Sequence, residues 1–392
     1  MSDEAFRAEA RAWLAENFDP ALVGQDFTKE LYEREVILTD VQKEWTRRVG
    51  AKGWGVPTWP REYGGGGLSR AEAEILFEEM DRIDAWNPIS GMGVMMLGPA
   101  LLEFGTEEQK KRHIPHIATA EIRWCQGYSE PGAGSDLASL QCRAEDKGDH
   151  YLVNGSKIWT SGAQWSDWCF ALVRTDTSDK YRGISFLLID MRSPGVEVKP
   201  IRLISGTSPF CETFFTDVKV PKENLVGELT QGWTIGKRVL QYERSSIGSG
   251  NAKGGGKEES LSDIARRYLP QDADGNIADS DLRMRITAYE MDAHAFALTA
   301  RRVAEESEGG GVSTTGSILK NLGARLTQTR YELLVEIMGM AGLGWADAAL
   351  SDEESFVTRE WLRTKAISIY GGSHEVQNNI IAKNILGLRD HQ

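Results

Sequence analysis

The sequence predicts an α+β fold with a helical N-terminal region, a β-rich middle region and a helical C-terminal region. Apolar residues recur at helical spacing up to about residue 120. Short runs of β-branched and aromatic residues, separated by turn residues, then continue to about residue 231. Helical spacing returns from residue 232. We therefore expect domains at 1–120, 121–231 and 232–392.

Helices are predicted throughout the N-terminal region. The first is indicated by apolar residues between Ala5 and Leu14, and a second amphipathic run covers residues 71–80. Between them, the Gly- and Pro-rich segment 59–67 predicts a loop. Thr106 with Gln109 three residues later is typical of a capped helix start.

Six short β-rich runs form the middle region. They lie at 150–159, 168–173, 184–189, 196–201, 212–215 and 218–220. Asn154-Gly155 is a turn signal and is expected to break the first run. Short strands with turns between them predict a small β-sandwich or β-barrel.

Four long helices are predicted in the C-terminal region, which favours a four-helix bundle. The first opens with Ile235, Val239 and Leu240, and the others fall within 285–307, 317–338 and 360–386. The stretch 252–280 does not fit this pattern because it is rich in Gly and Asp. It lacks the full ligand set of a calcium-binding EF-hand loop, so we expect a flexible surface insertion there.

Composition excludes several classes of function. The formal net charge is −13 and no basic patch is present, so nucleic-acid binding is not expected. The four cysteines form no Cys-x-x-Cys pair, which predicts buried thiols and no metal site. The acidic N-terminus has no apolar core and so does not resemble a signal peptide. The sequence contains no run of about 18 apolar residues, so no membrane span is expected. We expect a cytoplasmic enzyme.

The segment 126–136, which reads QGYSEPGAGSD, is the first candidate for a functional site. Its Gly and Pro residues would hold an open loop that a large planar ligand can approach. Ser129 and nearby backbone N–H groups could bind the carbonyl and ring-nitrogen edge of such a ligand. Taken alone, an ordinary Gly-rich turn explains this segment as well.

Two further motifs change that interpretation. The segment 157–163 reads KIWTSGA, and the segment 369–382 reads IYGGSHEVQNNIIA. In order and spacing, the three motifs resemble those of the acyl-CoA dehydrogenase family. The likeness extends to 104–110 and 220–227 and covers nearly the whole chain except 252–280.

The resemblance implies a helical domain, a β domain and a four-helix bundle, usually assembled as a tetramer, with FAD between the β domain and the bundle. The residues that would contact FAD are Gln126, Tyr128, Ser129, Gly134, Ser135, Trp159, Thr160, Ser161, Ser373 and Glu375. The residues that would contact the acyl-CoA substrate are Ser135, Arg244, Gly371 and Gly372. The implied reaction removes the α-proton and transfers a hydride from the β-carbon to flavin N5, giving a trans-2-enoyl-CoA.

The proton acceptor needs separate treatment. In much of the family a Glu follows the Tyr of the C-terminal motif, but here that position is Gly371, which cannot accept a proton. Isovaleryl-type and long-chain-type members carry the Glu just before an Arg on the first bundle helix, and Glu243-Arg244 matches that pattern. Helical spacing puts Glu243 on the apolar face of Val239, where partial burial would raise the pKa of its carboxyl. The alternative is a surface Glu paired with Arg244; we predict Glu243 as the base.

Two departures from the family concern assembly. The Arg-x-x-Phe-Gly segment that reaches a neighbour's FAD is missing from 252–280, and Glu336 replaces a Gln that helps to hold that FAD. A carboxylate there would repel a diphosphate. The chain thus resembles the two-subunit pimeloyl-CoA and steroid side-chain acyl-CoA dehydrogenases. We expect a homotetramer or an α2β2 heterotetramer with a related chain, and an electron-transfer flavoprotein as electron acceptor.

Alternatives remain for both activity and substrate. The scaffold could serve a flavin oxygenase or oxidase acting on a non-CoA substrate, or a non-catalytic subunit. Gly371, Gly372 and the segment 91–96 predict a wide pocket for a branched or polycyclic acyl group, such as a steroid side chain. These residues could equally serve close helix packing. No cluster of Arg and Lys lies near the segment 91–96, so a dicarboxylate is not indicated.

Overall fold

The computed structural model describes residues 2–28, 31, 34–248, 259–307, 316–345 and 349–389, without the side chains of 243–248, 304, 306, 307 and 352. Its helices are α1 (Asp3–Asn17), α2 (Asp40–Lys52), α3 (Arg70–Asp81), α4 (Gly98–Phe104), α5 (Glu107–Ala118), α6 (Gly232–Gly248), α7 (Leu261–Tyr268), α8 (Ser280–Ser307), α9 (Gly316–Met338), α10 (Asp352–Thr364) and α11 (His374–Asn384). Contacts divide the described chain into two compact units, one of residues 2–202 and 208–243 and one of 203–207 and 244–389. Every helix in these ranges is too short or too polar to cross a membrane.

Local capping sets the helix starts of the first unit. The Thr106 hydroxyl accepts from the backbone N–H of Gln109, and the Gln109 side chain accepts from the backbone N–H of Thr106, as predicted for α5. The Gln109 amide also donates to the backbone oxygens of Glu223 and Leu225, both at 2.7 Å. One buried side chain thus caps a helix and ties it to the chain that ends the β region.

A π-helical segment, Gly93–Leu97, leads directly into α4. No pattern in the sequence predicted this segment. In this wider i→i+5 turn the chain passes close to Trp124. A Cβ on Gly93 would lie 2.9 Å from the Cδ1 atom of Trp124. This close approach requires glycine.

The middle region forms one eight-stranded sheet. Its strands are β1 (Trp124–Gly127), β2 (Arg143–Asp146), β3 (His150–Ser161), β4 (Trp168–Arg174), β5 (Ile184–Asp190), β6 (Val196–Ile201), β7 (Phe210–Pro221) and β8 (Leu225–Val226). The order is β6-β7-β3-β2-β4-β5-β8, and β1 pairs in parallel with β4. The α+β class predicted from the sequence is therefore confirmed.

Two strands are longer than the sequence suggested. The expected break at Asn154-Gly155 is wrong, because β3 continues through it with a register shift against β7. Gly155 makes this possible at φ +143°, where an added Cβ would lie 2.7 Å from the Cα atom of Cys142. The runs 212–215 and 218–220 likewise join into the single strand β7.

The first unit has one large core that contains both helical and β residues. It runs from Phe6 and Leu14 in α1 through Phe170 in β4 to Ile235 and Val239 in α6. A second cluster in the sheet includes the cysteines. All four cysteines are free and buried, as predicted.

The second unit corrects two expectations. Leu261, Ile264 and Ala265 of α7 are at most 3% exposed and belong to the core of this unit, so a flexible surface insertion is wrong for that part of 252–280. Residues 252–258 lie outside the described residues. The helix expected over 360–386 is interrupted between α10 and α11, since Gly371 and Gly372 adopt φ values of +64° and +86°.

Candidate active site

A buried ion pair holds the glycine-rich loop of residues 128–136 against β3. Lys157 is fully buried, and its ammonium donates to the Glu130 carboxylate at 2.6 Å and to the backbone oxygen of Tyr128 at 3.1 Å. The same carboxylate accepts the backbone N–H groups of Gln141 and Cys142. Neither charged residue was assigned a role from the sequence. The available signal was an acidic residue in the first motif and a basic residue in the second.

The tip of this loop is open. Gly134 and Ser135 are exposed, and a Cβ added to Gly132 or Gly134 would meet no atom within 4 Å. Ser129 is half-buried, and its backbone oxygen accepts from Ile158 N–H at 2.8 Å. The loop is fixed at its base and leaves space beside its glycines.

Two of the predicted contact residues lie deeper than the loop tip. Tyr128 is 4% exposed, with its ring edge-on to Phe170 at a centroid distance of 6.0 Å, so its side chain belongs to the core. The buried Nε2 atom of Gln126 has no hydrogen-bond partner in the described chain. Because buried donors are normally paired, this amide is available to a bound group.

Trp159 occupies a strained position at a β-bulge. The register of β3 against β7 shifts between Ile158 and Thr160, and Trp159 takes a left-handed φ of +62°. Its indole is 52% exposed and meets Phe210 edge-on with ring centroids 6.1 Å apart. An exposed indole on a strained backbone is typical of a functional position.

The two residues after Trp159 have different surroundings. The Thr160 hydroxyl is fully buried and bonds the backbone oxygen of Cys211 at 2.9 Å and the Thr213 hydroxyl at 2.7 Å. Ser161 is half-buried. The Thr160 side chain is therefore engaged inside the sheet, and only its backbone is left to contact a ligand.

Helix α6 carries the predicted base. Ile235 and Val239 are fully buried on one side of it, and Arg238 donates to the Glu103 carboxylate of α4 at 2.8 Å. The side chains of Glu243 and Arg244, one turn further on, lie outside the described residues. The role of Glu243 stays a prediction.

The second unit holds the C-terminal motif at the start of α11. The Ser373 hydroxyl accepts from Val376 N–H, and Glu375 is exposed in the first turn. The backbone N–H of Glu375 and the Ser373 hydroxyl hold the pKa of the Glu375 carboxyl below its usual range. A Cβ on Gly371 would have Lys320 Cε as its nearest neighbour, at 3.9 Å, so the position is roomy.

Lys320 was not identified from the sequence. Its Nζ atom is buried and has no hydrogen-bond partner in the described ranges. Burial lowers the pKa of this ammonium, against the opposing attraction of Glu375. Nothing in its helical context, 316–338, distinguished it from a surface lysine.

Glu336 is paired within its own unit. Its carboxylate accepts two hydrogen bonds from the Arg285 guanidinium, at 2.8 and 2.7 Å. The bare negative charge expected from the sequence is therefore largely neutralised in this chain.

A pocket of about 80 Å³ opens in the first unit beside the π-helical segment. Gly91, Met92, Gly93 and Val94 contribute to its wall, whereas Met95 and Met96 do not. The remaining wall comes from the N-terminal helical region and from the approach to β1 and β4, including Phe27, Leu38, Ile117, Arg123, Trp124 and Trp165. Four of the six residues in the segment expected to line a tail pocket therefore line this pocket.

The chain combines a helical N-terminal region, a β-sheet that carries an open glycine-rich loop and an exposed tryptophan, and a helical C-terminal region. Family models of the acyl-CoA dehydrogenase N-terminal, middle and C-terminal domains match residues 2–121, 125–218 and 230–386. The chain belongs to the acyl-CoA dehydrogenase family, whose members are oxidoreductases and are generally FAD-dependent.

Several relatives match nearly the whole chain. Acyl-CoA dehydrogenase IpdE1 of Mycobacterium tuberculosis is 37% identical over 395 residues, covering 98% of this chain and 97% of the relative. The fold is similar to the Tcur3481-Tcur3483 steroid ACAD, with a TM-score of 0.77 and 27% identity over 100% of this chain and 98% of the other. It is also similar to the ChsE4-ChsE5 complex from Mycobacterium tuberculosis, with a TM-score of 0.74 and 28% identity over 99% and 98%.

Proposed function

We propose that this chain converts an acyl-CoA thioester to the trans-2-enoyl-CoA, with FAD as its cofactor and Glu243 as the acceptor of the α-proton. The observation that carries the proposal is Trp159, whose exposed indole lies on a strained bulge two residues after Lys157, the ion-pair partner of Glu130 in the glycine-rich loop. Family membership supplies the class of reaction.

The residues present fit a flavin. The loop glycines leave open space, the Gln126 amide has an unused donor in the described chain, and Trp159 offers a flat apolar surface. Gln126, the backbones of Tyr128, Ser129 and Thr160, and Ser161 would hold the ring system, with Gly134 and Ser135 at the loop tip. Ser373 and Glu375 would hold the diphosphate or adenosine portion.

The chain's own groups have two tasks. They must hold the thioester so that the α-proton becomes acidic enough to remove, and they must accept that proton. When bound, FAD supplies the hydride acceptor at N5. Ser135 and Arg244 would position the CoA portion, while Gly371 would leave room beside the reacting carbons.

Glu243 is assigned the base role because the alternative position is Gly371, which has no side chain. In the sequence it follows the fully buried Val239 by four positions, and helical spacing alone predicts that the two residues share a face. A carboxylate in such surroundings tends to have a raised pKa, which suits proton abstraction near neutral pH.

The test is Glu243→Gln, which keeps the shape of the side chain and removes its basicity. Turnover of a good acyl-CoA should fall by roughly 10²–10⁴-fold while FAD stays bound, measured by anaerobic bleaching of the flavin absorbance. Glu223→Gln, at an exposed carboxylate, is the matched control and should keep full turnover. Near-normal turnover of Glu243→Gln would refute the assignment.

Oxygen uptake in a parallel aerobic assay with the same acyl-CoA separates this proposal from a flavin oxidase or oxygenase. A dehydrogenase bleaches with acyl-CoA and passes electrons to an acceptor, for which we propose an electron-transfer flavoprotein, with little oxygen consumed. Absence of flavin from the purified chain and from its complexes would instead favour a non-catalytic subunit.

A further inference from the structure

The end of α4 is tied to α6 by a cluster of three polar side chains, Glu103, Arg238 and Tyr242. The Arg238 guanidinium donates to the Glu103 carboxylate at 2.8 Å and to the Tyr242 hydroxyl oxygen at 3.2 Å. The Tyr242 hydroxyl donates to the same carboxylate oxygen. One carboxylate of α4 therefore holds two side chains that lie one turn apart on α6.

The charges of this cluster are fixed at neutral pH. Burial opposes ionisation of the Glu103 carboxyl, but the hydrogen bonds from Tyr242 and Arg238 lower its pKa below the usual value. Burial and the hydrogen bond to Glu103 raise the pKa of the Tyr242 hydroxyl. The carboxylate is thus ionised while the phenol keeps its proton, which is the combination that a charge-assisted hydrogen bond needs.

The cluster contributes more to the position of α6 than to the stability of the fold. The Glu103 side chain is 38% exposed and that of Arg238 is 35% exposed, and ion pairs at such positions add little to the free energy of unfolding. Bonds to two adjacent turns, together with the buried Ile235 and Val239, nevertheless restrict how far this part of α6 can rotate or shift.

The cluster also lies between two parts of the candidate site. Helix α4 continues directly from the π-helical segment, which contributes to the pocket wall. On α6, Tyr242 immediately precedes Glu243. The side chains of residues 243–248 lie outside the described residues, so what the cluster holds is the backbone turn that carries Glu243.

We infer that Glu103 is a positioning residue, which through Tyr242 and Arg238 holds the turn of α6 that carries Glu243 at a fixed distance from the pocket wall. The inference rests on the proposed function, because it takes Glu243 to be the base and the pocket to receive the acyl group. Proton transfer requires the base within hydrogen-bond reach of the α-proton, and a displacement of about 1 Å can lower the rate by ~10²-fold. Without the Glu103 carboxylate, α6 keeps its fold but holds the base less accurately.

The experiment measures the rate of anaerobic flavin bleaching when the FAD-loaded protein, in its native assembly, is mixed with saturating acyl-CoA. In Glu103→Ala, which removes both bonds, this rate should fall by about 10-fold, while the acyl-CoA concentration that gives half of the maximal rate changes little. Tyr242→Phe removes one hydroxyl and should give a smaller loss. Glu103→Gln keeps an acceptor oxygen and should recover part of the rate, and Glu108→Ala, at an exposed carboxylate of α5, should keep all of it.

A double-mutant cycle separates positioning from a general loss of structure. If Glu103 acts through Glu243, then Glu103→Ala in a Glu243→Gln background should lower the remaining rate by less than about 2-fold, whereas a purely structural role gives the same fold-change in both backgrounds. If Glu103→Ala does not fold, Tyr242→Phe carries the same cycle. Unchanged rates in Glu103→Ala and Tyr242→Phe, or an equal loss in the two backgrounds, overturns the inference and leaves the proposed function intact.

Failure of the proposed function gives a different result, because Glu243→Gln then bleaches at the rate of the parent chain. Backbone hydrogen exchange in that case tests the hold of Glu103 on α6 directly. Residues 239–248 should exchange faster in Glu103→Ala than in the parent chain and in Glu108→Ala. Faster exchange supports the hold on α6, and equal exchange in all three proteins overturns it.

Discussion

Strain is concentrated at Trp159 in the candidate site. A left-handed backbone costs a non-glycine residue about 1–2 kcal/mol, and exposing half of an indole forgoes burial that the core could provide. The bulge between β3 and β7 holds the residue there nevertheless. The strain supports a role for the indole as one face of a binding surface.

His113 makes the stability of the first unit depend on pH. It is 2% exposed and packs edge-on between Trp124 and Trp168, and burial lowers the pKa of its imidazole to about 4. Below the unfolded pKa of about 6.5, the unfolded chain binds a proton that the folded chain rejects. The free energy of unfolding should therefore decrease as the pH falls from 6.5 toward 4, by at most ~3 kcal/mol.

The variant His113→Phe removes this titration. Urea midpoints at pH 7 and pH 5.5 should then differ less than in the parent chain, while His294→Gln, at an exposed imidazole of the second unit, should leave the difference unchanged. An equal pH dependence in His113→Phe and the parent chain would show that other groups cause the acid sensitivity.

The Lys157–Glu130 pair links elements rather than single residues, because it fixes the glycine-rich loop to β3. In Lys157→Met the Glu130 carboxylate stays buried without its cation, which should cost about 3–5 kcal/mol in urea unfolding. The double variant Lys157→Met/Glu130→Gln should recover part of this loss. Lys199→Met, on the exposed strand β6, is the control, and an equally small effect in both lysine variants would contradict a structural role for the pair.

Elements with local signals were predictable from the sequence. The start of α5 depends on side-chain bonds within three residues of Thr106, so its pattern is readable. The continuity of β3 through Gly155 depends on β7, about 60 residues further along the chain, which no local pattern shows. The apolar residues of α7 were overlooked because Gly and Asp dominate the surrounding composition.

The same distinction between local and long-range signals applies to the site residues. The sequence motifs identified the glycine-rich loop and Trp159, but not which side chains point into the core. Tyr128 and Thr160 do so because the bulge and the partner strands set their orientation. The buried Gln126 Nε2 and Lys320 Nζ atoms, which have no hydrogen-bond partner among the described residues, depend on long-range packing, so only the three-dimensional structure could show them.

At the scale of the whole molecule, the proposed assembly is an α2β2 heterotetramer with a related chain. The described relatives include proteins whose names give two components, Tcur3481-Tcur3483 and ChsE4-ChsE5. Without an Arg-x-x-Phe-Gly segment in 252–280, this chain should complete a neighbour's FAD site poorly. Purified alone, it should carry less than one FAD per chain, and co-purification with the related chain should raise the occupancy.

The ratio of flavin absorbance to protein concentration measures the FAD occupancy, and the native mass measures the assembly. The variant Glu336→Gln tests the carboxylate charge separately from the missing Arg-x-x-Phe-Gly segment. FAD occupancy should not change in this variant, because Arg285 already neutralises the carboxylate. A homotetramer with one tightly bound FAD per subunit and full activity would disprove the partner proposal.

The core that runs from α1 through β4 to α6 also limits how this protein can change over generations. The family model of the N-terminal domain ends at residue 121, and that of the middle domain begins at residue 125. Residues on both sides of this boundary nevertheless pack into the same core. Exchanging either segment with a homologue would expose mismatched apolar surfaces, since close packing tolerates little change of volume. Recombination at that boundary should therefore be selected against, and substitutions in the helical part should be inherited together with compensating ones in the sheet.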